Sequence, residues 1–175
     1  MGLKGWNCVV LAALASLWLA SGTQREKPLL SEQQALRVRA LDTEVAEHPS
    51  DPVAVRNLAQ AYLDARVPGL ALNVVESAPS NVRAEPVVLH IYARALLEQG
   101  RAVDALAAEE RVLQACAPGM DGISRCDTWL LASATRRADI MRQLVELGVE
   151  DANAHPEASA VAYHNATREA RLAVR

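Results

Sequence analysis

The chain has 175 residues, 51% of them apolar but only 3% aromatic, and it contains no Phe. That length provides for one domain with room for an appendage and argues against a multi-domain machine. Ala and Leu therefore carry the apolar content, which favours helices and argues against a β-sandwich or barrel. Charged residues make up 22%, too mixed a composition for disorder, and the formal charge of −3 offers no electrostatic grip on nucleic acid. Only Lys4 and Lys27 among the 18 basic residues are lysine.

Residues 1–22 read as an export signal. Lys4 is followed by an apolar run from Cys8 to Ala20 broken only by Ser16, and Ala20-Ser21-Gly22 places small residues ahead of a cleavage point before Thr23. The run is shorter than the roughly 20 residues a spanning helix needs, so a retained anchor is the weaker alternative. Cys8 stands at the beginning of the run rather than its end, which excludes a lipoprotein signal. The mature chain of about 153 residues would carry 17 basic and 21 acidic residues, a formal −4. With the Arg-over-Lys bias, the simple signal points to a bacterial protein in the periplasm, the cell envelope or the medium. Cleavage leaves Cys116 and Cys126 as an even pair in an oxidising compartment, which reads as a structural disulfide. A redox C-x-x-C or a zinc site would need other spacings.

Residues 23–31 form a polar leader. Ser31 and Gln34 make a capping box, with Leu36, Ala40, Leu41 and Val45 following on one helical face up to His48-Pro49. A second helix starts at Pro52 behind Ser50 and Asp51 and carries Val55, Leu58, Ala59 and Tyr62. Pro68-Gly69 ends the turn behind it, and a shorter helix holds Ala71, Leu72 and Val75. A shift of 34 residues aligns Pro52 with Pro86, Val55 with Leu89, Leu58 with Tyr92 and Ala59 with Ala93. It also aligns Tyr62 with Leu96, Ala71 with Ala105 and Leu72 with Leu106, while Gly100 supplies a helix stop. The period is that of stacked helical hairpins.

These residues resemble the tetratricopeptide repeat (TPR) family, whose fingerprint has a bulky residue, a Leu-Gly or Leu-Ala pair, an aromatic three further on and an Ala in the second helix. Residues 32–118 would then form about two and a half repeats of an all-α solenoid, with residues 119–175 as a Cys-closed loop and a C-terminal helical cap. No Trp fills the expected bulky site, and the first repeat's second helix is compressed around Ser77-Ala78-Pro79. A plain helical bundle is the alternative architecture.

In the cap, Asp127 starts a helix over 128–147 with Leu130, Ala134, Met141, Leu144 and Val145 on its apolar side and Gly148 at its end. Trp129 is expected near the cysteine pair. A last helix follows His155-Pro156, and its Ala stripe could instead serve dimerisation.

No G-x-S-x-G, H-E-x-x-H, P-loop, G-x-G-x-x-G or C-x-x-C-H occurs, so neither an enzyme nor a cofactor is expected. His48 and His155 precede prolines at helix ends, and Asp64, Glu98, Glu109 and Glu110 read as carboxylates on helix surfaces whose spacing does not distinguish catalysis from solvation. The resemblance implies a groove lined by the first helix of each pair. It carries Arg56, Asn57 and Gln60 in one repeat and His90 and Arg94 in the next, flanked by Leu63 and Leu97. Guanidinium and amide donors one turn apart suit a carboxylate or an extended backbone. The expected function is an exported adaptor that binds a protein or peptide, of unstated identity, with no nucleic acid and no membrane span after cleavage. The rival is a structural subunit of an envelope assembly packed through the C-terminal helices.

Overall fold

A computed structural model describes residues 30–119, 124 and 126–173, with side chains to residue 167. The export segment and its cleavage point lie outside the described residues. Eight helices follow one another, and no strand occurs among the described residues. They are α1 (Glu32–Glu47), α2 (Pro52–Asp64), α3 (Pro68–Ser77), α4 (Ser80–Arg83), α5 (Pro86–Glu98), α6 (Ala102–Cys116), α7 (Thr128–Glu146) and α8 (Pro156–Ala173). Each longer helix packs on its chain neighbours, and α2 also lies against α5.

The starts of the helices follow local chemistry. Ser31 and Gln34 cap α1 reciprocally, with both backbone N–H groups satisfied by the partner's side chain. Asp51 and Asp127 accept hydrogen bonds from the N–H groups of Val53 and Leu130. Prolines open α2, α3 and α5 at positions where their missing N–H costs nothing. On α1 the inward face is Val38, Leu41 and Val45, whereas Leu36 is 62% exposed. Leu41 and Val45 keep the expected inward place, while Leu36 and Ala40 are exposed and Val38 completes the face in one cluster with Leu58.

The helix ends repeat one another. After α2, α5 and α7 the chain enters the left-handed region at Arg66 (φ 63°), Gly100 (φ 76°) and Gly148 (φ 70°). In each case that residue donates its N–H three residues back, to Leu63, Leu97 and Val145 respectively, and the next donates five back, to Tyr62, Leu96 and Leu144. This is the Schellman closure, which satisfies the carbonyls that a helix end leaves open. The turns also touch. Ala102 N–H donates to the Glu150 carbonyl at 3.1 Å, and Asn153 donates its side-chain amide to the Glu98 carbonyl at 3.2 Å. A Cβ on Gly100 would stand 2.8 Å from Asp151 Cγ, so a side chain there is excluded by space as well as by φ.

The core is built from small residues at helix contacts and branched ones between them. Ala59, Ala93, Ala71 and Ala105, two pairs related by 34 residues, are all fully buried. Leu58, Leu63, Leu96, Met141 and Leu144 fill the spaces between helices. Pro79 prevents α3 from continuing, and the short α4 that follows puts Val82 back into the main core.

Cys116 at the end of α6 and Cys126 ahead of α7 form a disulfide with Cα atoms 5.1 Å apart. Ser124 donates its hydroxyl to the Cys116 carbonyl at 2.8 Å and accepts from the Cys126 N–H at 3.2 Å. The link ties the segment ahead of α7 to the end of α6. No helix among the described residues is long and apolar enough to cross a membrane.

Candidate functional site

Polar residues of α2, α5 and α7 approach one another, Gln60 meeting Arg94 and Arg94 with Glu98 lying close enough to Arg137 to act on its charge. Arg56 donates to Asn57 Oδ1 at 2.7 Å, and both are half-buried. Arg94 donates to Glu98 at 3.0 Å within its own helix and to Gln60 Oε1 at 3.2 Å across to α2. Gln60 in turn donates to Asp64. Gln60 and Arg94 are separated by 34 residues, so the repeat brings its own equivalent positions into contact.

Four expectations change here. His90 is not an exposed groove residue: it is 6% exposed, held between α5, α6 and α7. Its Nδ1 lies 2.6 Å from Glu109 Oε1 and its Nε2 lies 3.1 Å from Ser133 Oγ. Glu109 is not a surface carboxylate but is fully buried. Leu63 is 1% exposed and belongs to the core, and Leu97 packs against two core clusters rather than flanking an open channel. Trp129, three residues after Cys126, is 65% exposed and meets the edge of His90 at 6.2 Å between centroids.

The structure adds Arg137 to this group. It lies on α7, one turn after Ser133 and two after Trp129, on the same helical face. Its Nη1 is buried without a hydrogen-bond partner, and so is Glu109 Oε2. Burial pushes the Arg137 guanidinium below its usual pKa; Glu109 opposes this, Arg94 adds to the lowering, and Glu98 opposes it. The guanidinium stays charged at neutral pH because its starting value is so high. Arg94, Glu98, Glu109 and Arg137 thus form one electrostatic neighbourhood spanning α5, α6 and α7.

A separate cleft of about 330 Å³ lies between α1, α2 and α3, lined by Val45, Leu58, Tyr62 and Val74 with Asp42 and Asn73 at its edge. It contains none of the polar groove residues. Among the described residues no group of three His, Cys, Asp or Glu is placed to hold a metal ion. Comparison with family models, curated proteins and solved structures returns no match.

Proposed function

We propose that the chain is an exported, TPR-like helical adaptor that binds another protein or an extended peptide along the side formed by α2, α5 and α7. The observation that carries this reading is the recurrence at 34 residues. Arg66 and Gly100 close equivalent turns, Ala59 and Ala93 are buried alike, and Gln60 and Arg94 meet across the helices. The turn at Gly148 extends the series to α7 and α8, so the C-terminal pair reads as a third, longer hairpin of the same kind.

Such a stack turns the first helix of every pair toward one groove. Arg56, Asn57, Gln60, Arg94 and Arg137 supply guanidinium and amide donors there. Donors of this kind recognise carboxylates and peptide carbonyls. The disulfide supports export, because such bonds persist in oxidising compartments.

The rival reading, a subunit of an envelope assembly, is favoured by one observation: Leu147, Val161 and Tyr163 are 48%, 48% and 56% exposed near or on the last helix. Pulldown from an envelope extract separates the two. The groove reading expects the Arg56→Glu, Arg94→Glu double variant to lose its partners while keeping the wild-type melting curve. Partners that survive both reversals but vanish when the chain is cut near residue 126 would establish the rival.

A further inference from the structure

We propose that Ser133, His90 and Glu109 form a nucleophilic serine site that hydrolyses small carboxylic esters, an activity beyond the binding role.

The three side chains come from three helices and are ordered as acyl transfer requires. A carboxylate sits on Nδ1 of the imidazole, 2.6 Å away, and a hydroxyl sits on Nε2, 3.1 Å away. The Glu109 carboxylate, when ionised, can only accept, so it fixes the neutral ring with its hydrogen on Nδ1. Nε2 is then the acceptor for the Ser133 hydroxyl hydrogen. Glu109 is fully buried and His90 nearly so, which holds the ring in place, while Ser133 is half-exposed and open to a substrate. Arrangements of this type are recognised by geometry and role rather than by sequence order.

Ser133 also behaves unlike the other mid-helix hydroxyls of this chain. Thr43, Thr135 and Thr167 donate to the carbonyl four residues back in their own helix. Ser133 instead faces His90. Its neighbours on the α7 face complete the requirements. Trp129, one turn earlier and exposed, offers an apolar wall for a short acyl or alkyl group. Arg137, one turn later, has an N–H without a partner. The backbone N–H of a mid-helix serine is committed to the helix, so a side-chain donor has to stabilise the oxyanion, a role the proposal assigns to the Arg137 guanidinium on the same face of α7.

In the reaction, Ser133 Oγ bonds to the ester carbonyl carbon as its proton passes to His90 Nε2. The carbon–oxygen bond to the leaving alcohol then breaks, and His90 returns the proton to that alcohol. Water repeats the sequence on the acyl-serine, releasing the carboxylic acid and restoring the serine. Ester plus water gives acid plus alcohol, and no co-reactant is needed. Glu109 acts as a positioning residue through His90.

The test uses the full exported chain, with a fluorophosphonate probe read by intact mass and peptide mapping, and p-nitrophenyl acetate turnover. The expected result is one adduct per chain on Ser133 together with multiple turnovers, both lost in Ser133→Ala, which removes a single oxygen and keeps the fold. His90→Gln should lower kcat by about 100-fold or more. Glu109→Gln should lower kcat with KM unchanged. A folded chain that takes no adduct on Ser133, that stops after a single acylation, or that hydrolyses the ester equally well as Ser133→Ala overturns the proposal. Partner capture by the groove is unaffected in Ser133→Ala, so failure of this site and failure of the adaptor reading give different results.

Discussion

Arg66 adopts after α2 the same left-handed conformation that Gly100 adopts after α5, with φ values of 63° and 76° and matching pairs of backbone hydrogen bonds. An L-residue with a side chain pays for that conformation and glycine does not, the difference being about 1 kcal/mol or more. Arg66→Gly should therefore stabilise the protein by about 1 kcal/mol net of the added chain entropy, a rise of about 2–4 °C in melting temperature.

The two glycines should respond unequally to alanine. At Gly148 the Cβ meets nothing within 4 Å, so only the left-handed backbone is penalised, by about 1 kcal/mol. At Gly100 the Cβ also strikes Asp151 at 2.8 Å, forcing the stacked turns apart. Gly100→Ala should be clearly the more destabilising of the two in urea melts, and equal losses would contradict the account of turn packing.

His90 and Glu109 are both buried, with Nδ1 and Oε1 2.6 Å apart. Removing one leaves the other buried without its partner, a loss of about 3 kcal/mol, whereas removing both abolishes the mismatch. A cycle of His90→Leu, Glu109→Leu and the double variant should show the double change costing less than the sum of the singles by at least about 1 kcal/mol. Additive costs would mean that the pair contributes nothing as a pair.

The Cys116–Cys126 link should be worth about 3 kcal/mol, since it closes a short loop and fastens α7 to the end of α6. Reduction should lower the melting temperature without removing helical signal at 25 °C. A thiol assay on exported protein should find no reactive cysteine, and two thiols per chain would refute the pairing in the cell.

Much of this architecture was legible in the residues. Pro52 and Pro86, Ala59 and Ala93, and Ala71 and Ala105 announce helix starts and close contacts directly, because proline and alanine have few other uses in a helical core. The disulfide was legible because Cys116 and Cys126 are the even pair left in an oxidising compartment. Pro68-Gly69 ends the turn and opens α3 as read, but the left-handed residue that closes α2 is Arg66, which nothing in the residues announces because arginine is not a left-handed residue. His90, Glu109 and Ser133 were hidden for another reason. They lie 19 and 43 residues apart with no motif between them, and each looks like a solvated residue until the packing of α5, α6 and α7 brings them together. Leu36 shows the limit of helical periodicity, since nearly opposite faces of α1, Leu36 with Ala40 and Val38 with Leu41 and Val45, both carry apolar residues and only the partner helix chooses between them.

The claim that the α2–α5–α7 side receives the partner is tested most directly by site-specific photocrosslinking in envelope extract. A photoreactive residue replaces Asn57 on that side in one protein and Tyr163 on the exposed face of α8 in another. The account predicts a discrete adduct from position 57 that is lost on Arg94→Glu, with none from position 163. An adduct from position 163 with none from position 57 would contradict it.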